Sequence, residues 1–386
     1  MTKAIYAFSG DPITYGHIDI VERAARAFEQ VIVGIGVNPE KEKKNMYDFS
    51  LDERTEMATR SLRRLPNVRV TSFEGMLVDY AYEQGVDVVV KGVRNAADGN
   101  YEQLLHQVGE SQKLGIDTHI LFARPHLGHI ASSVVKAVVK EQGRVDEYVP
   151  LYIKQCLEAK MLGQYVVGLT GEIGSGKSYV TSRFVERGRQ RGIEVHDIDL
   201  DGIAHRIIGD QPEPRYVAVR RSIADAFGAQ ALLPSGAVDR PWLGEKVFGD
   251  AEAMHRLNEI MYTPLMVRMR REMKGRKGLL LLDAALIAES DLGYVCNNNA
   301  VVVTVGKDEQ MRRIRTRGLA NTCILDDAQI SRRLASQYTA AGKIARLEES
   351  IVEKDNGRVW TLDNSQEGSD ERIASVFDDV VRELVR

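Results

Sequence analysis

The stretch GEIGSGKS, residues 171–178, sets glycines, a lysine and a hydroxyl at the spacing G-x-x-x-x-G-K-[ST]. Such a loop bends backbone N–H groups around nucleotide phosphates, and the helix that follows adds the partial positive charge of its N-terminus. Lys177 would reach the β- and γ-phosphates, and the Ser178 hydroxyl would ligate Mg2+. The context is the required one, with an apolar strand (YVVGLT, 165–170) before the loop and a helical pattern (SYVTSRFVERG) after it. Further on, EVHDIDLDGIAHR (194–206) leaves a second strand through Asp197, Asp199 and Asp201. A carboxylate there can accept the proton of an attacking hydroxyl. An aspartate ahead of GIAHRI can equally cap a helix, and different members of the cluster can do both. In LLLLDAALIAE, Asp283 could act on Mg2+ through water and Glu289 could touch substrate. MRRIRTRGL (311–319) and SRRL (331–334) offer Arg313, Arg317 and Arg333, either as a solvated face or as a lid over a transferring phosphate.

A second constellation lies near the N-terminus. DPITYGHIDIV (11–21) places Thr14 and His17 three apart, on one face at the top of a helix. An imidazole in that position can hydrogen-bond an α-phosphate while the bridging oxygen changes owner, with no covalent intermediate. IASSVVK (130–136) adds the Ser132 and Ser133 hydroxyls at another helix start, suited to β- and γ-phosphates. Each pattern alone could be helix capping, but together, at the ends of different strands, they read as one site.

The elements that must position these residues alternate. KAIYAF is a strand, GHIDIVERAARAFEQ a helix, VIVGIGV (31–37) a strand, LDERTEMATRSLRRL a helix and VRVTSF a strand. MLVDYAYEQG (helix), VDVVVKGV and HILFA (strands) follow, and 135–162 closes with one or two helices. GLLLLDAAL (278–286) and AVVVTVG (300–306) continue the plan after the phosphate loop. The alternation predicts an α/β fold of two domains, each a parallel sheet with helices on both faces. The boundary is expected at about 163, giving 1–162 and 163–386. Ligands of such sheets sit beyond the carboxyl ends of the strands, so Phe8–His17, Lys91–Arg94 and Arg124–Ser133 should share a crevice.

A net charge of −3 gives no basic field to attract nucleic acid. Cys156, Cys296 and Cys323 stand far apart, which argues against a disulfide framework or structural zinc and suits a reducing cytoplasm. No apolar run is long enough for a signal peptide or membrane span.

With these residues in view, the second half resembles dephospho-CoA kinase. GEIGSGKS fits that family's GGIGSGKS with Glu172 for a glycine, and VDRPWLGEKVFGD (238–250) and LDNS (362–365) fit further segments. Thr263-Pro264 stands for the family's His-Pro. The resemblance implies a P-loop, NMP-kinase-like fold, with Gly174, Ser175, Gly176, Lys177, Ser178, Tyr179 and Arg317 on ATP. It also implies Asp199, Asp201, Asp283 and Glu289 on the acceptor, with Asp201 the base for a ribose 3′-hydroxyl and Asp199 its substitute.

Residues 3–160 resemble bacterial phosphopantetheine adenylyltransferase through DPIT-x-GHIDIVERA, NPEK, FSLDER, KGVRNAAD, SSVVK and QGRVDEYVP. That implies a Rossmann-like nucleotidyltransferase fold, with His17 at the transition state and Lys41 near the acceptor phosphate. Ser9, Gly10, Gly92, Val93, Arg94, Glu102, Ser132 and Ser133 would touch ATP, and Ser9, Lys41, Leu77 and Lys91 the acceptor. The family's Gly-Thr-Phe reads Phe8-Ser9-Gly10, its substrate arginine is Lys91, its first serine is Ala131, its loop aromatic is Leu127, and GESQKLG lacks its Asn-Arg pair. Jointly the resemblances imply a bifunctional enzyme using ATP and Mg2+ on 4′-phosphopantetheine and then dephospho-CoA, to give CoA. The alternative is a kinase whose first domain is a redirected nucleotidyltransferase or a CoA- or ATP-binding module. The adenylyltransferase family often forms rings, so a homo-oligomer is open.

Overall fold

The structure, a computed structural model, describes residues 2–37, 42–209, 211–247, 250–320, 330, 334–335, 337–365 and 368–385, with backbone alone for 317–320. The chain divides into two compact units, Met1–Met161 and Leu162–Arg386.

The first unit runs β1 (Lys3–Phe8), α1 (Tyr15–Ala27), β2 (Gln30–Gly36), α2 (Leu51–Leu62), β3 (Val68–Phe73), α3 (Leu77–Glu83), β4 (Val88–Val93), α4 (Ala96–Ser111), β5 (Asp117–Phe122), α5 (Ser132–Lys140) and α6 (Leu151–Leu157). The strands form one parallel sheet in the order β3-β2-β1-β4-β5. The order reverses between β1 and β4, where Ala4 faces Val88 and Tyr6 faces Val90. Loops leaving such neighbours in opposite directions open a crevice at the strands' carboxyl ends. α2 starts on a reciprocal cap, with Ser50 N–H donating to Glu53 Oε2 (2.7 Å) and Glu53 N–H to Ser50 Oγ (3.2 Å). α4 is a helix the sequence pattern does not announce. Gly99 and Gly109 interrupt it, none of its residues is buried, and its start is set by Asn95 Oδ1 accepting from Asp98 N–H (2.9 Å).

The second unit runs β6 (Gln164–Gly171), α7 (Lys177–Arg191), β7 (Val195–Asp199), α8 (Leu200–Ile208), α9 (Pro214–Phe227), α10 (Arg240–Val247), α11 (Ala251–Met273), β8 (Gly278–Asp283), β9 (Asn299–Thr304), α12 (Lys307–Ala320), α13 (Ala340–Lys354), β10 (Arg358–Asp363) and α14 (Ser369–Leu384). Its parallel sheet has the order β10-β9-β6-β8-β7. The run Leu279–Leu282 shows why β8 is apolar throughout. Leu280 and Leu282 join Ile203, Ile223 and Met266 on one face, while Leu279 and Leu281 join Phe184, Val301 and Phe377 on the other. A strand covered on both faces needs no polar alternation.

Candidate active sites

In the first unit β1 ends at Phe8 and the chain turns through Gly10, whose φ of +64° is left-handed. His17 lies in the first turn of α1. Thr14 N–H donates to His17 Nδ1 (3.1 Å), and Thr14 Oγ1 lies 3.0 Å from the same nitrogen. An Nδ1 that accepts leaves the proton on Nε2, which is then a donor. Burial, reinforced by Arg94, lowers the imidazole to about pKa 4, so the ring is neutral. The loop before α1 is anchored by Asp11. Asp11 accepts from Phe49 N–H (3.0 Å) and pairs with Lys136 of α5 (2.6 Å), which also pairs with Asp48 (2.6 Å). Arg54, buried on α2, donates to the carbonyls of Ser9 and Gly36, so Ser9 is held through its backbone. Ser132 donates to Pro12 O (2.8 Å), and Ser133 beside it is exposed. Arg94 reaches across from β4 to Ile130 O (3.4 Å) while paired with Asp98 (2.8 Å). Thus the ends of β1 and β4 and the start of α5 come together around His17.

Lys91 and Glu102 pair with each other at 2.9 Å, the cation from β4 and the carboxylate from α4. Gly92 packs under Ile20 and Tyr6, Val93 is buried, and Leu77 is half-buried at the start of α3. Lys41 lies outside the described residues. Next to its segment is a cavity of about 390 Å3 lined by Val37, Asn45, Tyr47, Arg54 and Glu74, among others.

In the second unit the phosphate loop leaves β6 and enters α7 through Gly176 at φ +87°, where a side chain would strike the Asn364 amide and, at 2.9 Å, the Arg313 guanidinium. Those neighbours hold the loop from beneath. Asn364 Nδ2 donates to Ser175 O (2.9 Å), Arg313 Nη1 to the same oxygen (3.2 Å) and Gln310 Nε2 to Ile173 O (2.8 Å). Ile173 N–H donates in turn to Gln337 Oε1 (3.2 Å). Arg313 also donates through Nε to Glu309 (2.6 Å) and through Nη2 to Asn364 O (2.8 Å), so it lies beneath the loop in this structure. The side chain of Arg317 and all of Arg333 lie outside the described residues. Lys177 donates to Gly171 O (3.3 Å), and Ser178 and Tyr179 are exposed, with the Tyr179 hydroxyl on Asp370 (2.6 Å).

Asp199 caps α8, accepting from Gly202 N–H (2.7 Å). Asp201, in the first turn of α8, accepts from Ala285 N–H (3.1 Å) beyond β8. Asp283 is buried with Thr181 Oγ1 donating to it (3.3 Å). Burial pushes its carboxyl up to about 7; Lys177 opposes the rise, and Asp197, Asp201 and Asp199 add to it. Glu289 is turned to a buried partner, Lys343 of α13, and also accepts from Tyr338 N–H (2.9 Å). Lys343 donates to Ala285 O as well (2.6 Å). Gln310, Gln337, Lys343 and Asn364 carry no motif of their own; only the "DNS" after the last apolar run hinted at one of them.

A family model described as dephospho-CoA kinase matches residues 165–359, half of the chain. The chain belongs to the dephospho-CoA kinase family. A second model, cytidylyltransferase-like, matches residues 9–138. Over its first unit the chain is 38% identical across 160 residues to the phosphopantetheine adenylyltransferase of Geobacter sulfurreducens, covering 42% of this chain and 95% of the relative. It is 39% identical across 167 residues to that of Deinococcus radiodurans, covering 42% and 96%. The chain is therefore also a phosphopantetheine adenylyltransferase family member, fused ahead of the kinase. A solved dephospho-CoA kinase from Campylobacter jejuni aligns with 16% identity and a TM-score of 0.30, covering 56% of this chain and 97% of its own. The fusion is an ATP-using nucleotidyltransferase and kinase in two parallel-sheet units. Among the described residues no helix is long and apolar enough to cross a membrane. Within the kinase-family unit, the Ser178 hydroxyl and the Asp283 carboxyl are hard oxygen donors that suit Mg2+. No group of three or more His, Cys, Asp or Glu gathers as a cage among the described residues.

Proposed function

We propose that the chain carries out two consecutive steps of coenzyme A synthesis. In the first unit an acceptor-phosphate oxygen of 4′-phosphopantetheine attacks the α-phosphorus of ATP. The new P–O bond forms as the α–β bridging bond breaks, and pyrophosphate leaves with dephospho-CoA formed. His17 Nε2–H donates to the α-phosphate throughout, Arg94 and Ser133 meet the leaving phosphates, and Lys91 with Lys41 faces the acceptor phosphate. Ser9, Gly10, Gly92, Val93, Glu102 and Ser132 shape the ATP side, and Leu77 the acceptor side.

In the second unit the ribose 3′-hydroxyl of dephospho-CoA gives its proton to Asp201 and attacks the γ-phosphorus, so that ADP leaves and CoA is formed. Lys177 clamps the β- and γ-phosphates against the amides of Gly174–Gly176, and Tyr179 and Arg317 belong to the ATP side. Asp199 and Glu289 stand on the acceptor side as shaping groups. Ser178, with Asp283 acting through water, would hold Mg2+, which would supply charge neutralisation on the phosphates.

The observation that carries this reading is the tautomer of His17. A neutral imidazole with its donor on Nε2 and Arg94 nearby is suited to an anion whose charge grows, and it precedes a complete phosphate loop on the same chain. Two incubations test it, one with 4′-phosphopantetheine, ATP and Mg2+, the other with dephospho-CoA in place of the first substrate, both read by mass spectrometry. CoA in both tubes is expected; CoA only from dephospho-CoA overturns the first half.

The finer partner reading is a homo-oligomer formed through the first unit. On α4, Tyr101, Leu104 and Val108 follow helical spacing yet are exposed, as are Ile120 and Phe122 of the edge strand β5. Leu104→Glu is expected to lower the mass seen by light scattering; an unchanged mass contradicts this surface.

A further inference from the structure

The segment that departs most from the adenylyltransferase pattern, Phe8-Ser9-Gly10, lies against the group with the most specific chemistry. The Phe8 ring is stacked on the His17 imidazole with centroids 4.4 Å apart and planes 7° from parallel. Phe8 is the last residue of β1, so the sheet fixes the direction of its Cβ, and Tyr6, two residues earlier on the same face, backs it at 5.0 Å. Gly10 beside it turns the chain at a left-handed φ of +64°, and a Cβ there would lie in van der Waals contact, 3.4 Å, with both the Phe8 ring and Ile35 Cδ1. Phenylalanine thus stands before the hydroxyl residue and a turn glycine after it. It puts an aromatic ring where the family's Gly-Thr-Phe order has none.

We propose that Phe8 is a positioning residue for adenylyl transfer, its ring and Thr14 together fixing the plane in which His17 Nε2–H points. Thr14 holds one edge of the imidazole, its N–H and Oγ1 both at Nδ1, and contacts to that one atom leave the ring free to rock about it. The Phe8 face removes that freedom and keeps water from one side of the ring. The charged group that acts on His17 is Arg94, which α4 holds through Asp98 and whose charge also disfavours a second proton. The stack adds the apolar part of the same effect, since burial is the largest cause of the low imidazole pKa.

The inference rests on His17 acting at the α-phosphate, as proposed above. The test compares Phe8→Leu, which keeps apolar bulk but loses the flat face, with Phe8→Tyr, which keeps the face. Each is read by adenylyl-transfer kcat and KM, by an NMR titration of the His17 ring, and by dephospho-CoA phosphorylation on the same chain. Phe8→Leu is expected to lower kcat by about tenfold or more with KM for ATP changed less than about twofold, the signature of lost aim rather than lost binding. Its His17 midpoint should climb from about 4 toward about 6.5, the ordinary value. Phe8→Tyr should restore both, and kinase turnover should stay level in both variants. An unmoved His17 midpoint with unmoved kcat in Phe8→Leu overturns the proposal, as does a Tyr variant no better than Leu. His17→Asn separates the two ideas: if it still transfers adenylyl groups, the catalytic reading fails, while the titration of Phe8→Leu still reports the stack.

Discussion

His17 and Asp283 are moved in opposite directions by the same cause. Removing either from water favours its neutral form, which takes the imidazole down to about 4 and the carboxyl up to about 7. Between pH 5 and 8 His17 therefore does not change charge, whereas Asp283 passes from mostly protonated to mostly ionised. The kinase step should lose activity as pH falls through about 7, and the adenylyl step should show no histidine limb there; profiles of kcat/KM for each step on one preparation check this, and a shared limb near 6.5 would sink it. The stability signs follow from linkage. The folded state holds a proton on Asp283 that the unfolded state has shed above about 4, so this group's contribution falls as pH rises toward 7. His17 contributes the reverse, because the unfolded chain takes up a proton below about 6.5 and the folded one only below about 4. His17→Asn should reduce adenylyl transfer by on the order of a thousandfold while leaving phosphorylation of dephospho-CoA intact, by product analysis of each step.

At the scale of elements, the phosphate loop depends on residues far from it in sequence. Asn364 meets Ser175 through its side-chain amide and Arg313 through its backbone carbonyl, so Asn364→Ala removes the first contact alone and should raise the kinase KM for ATP by up to about tenfold, roughly the worth of one hydrogen bond. Steady-state kinetics with ATP varied is the check, and an unchanged KM counts against the clamp. α13 docks through a buried charge. Lys343→Met strands Glu289 and should cost about 3–5 kcal/mol in the second unit, while adding Glu289→Leu should recover most of it, as read by denaturant unfolding. These contacts mark the limit of what the sequence reveals. A phosphate loop is legible because its chemistry is local, eight residues after a strand, and so is the capped helix bearing His17. Arg313 reads as one charge in a basic run until β10 brings Asn364 beside it. Glu289 reads as a substrate group until Lys343 fills its environment. α4 goes unannounced because its apolar stripe turns away from the unit's own core and two glycines break the pattern.

At the scale of the molecule, two parallel sheets each place their chemistry at the ends of neighbouring strands, β1 with β4 in one and β6 with β8 in the other. The runs of buried valine, isoleucine and leucine in those strands made the fold class readable, since only a sheet covered on both faces tolerates them. Because the two activities stand on separate units, disabling one should expose its intermediate. Lys177→Ala should leave dephospho-CoA accumulating and CoA absent, by mass spectrometry from 4′-phosphopantetheine; normal CoA output would refute the assignment of the clamp. The Asn364 clamp also bears on the order in which a ribosome delivers the parts. Ser175 waits 189 residues for the carboxamide that steadies it, whereas the first unit is complete once residue 161 has emerged. A polypeptide released after Ser178 and before Asn364 would carry a finished adenylyltransferase and an unbraced phosphate loop, so interrupted translation would leave product stranded one phosphate short of the coenzyme.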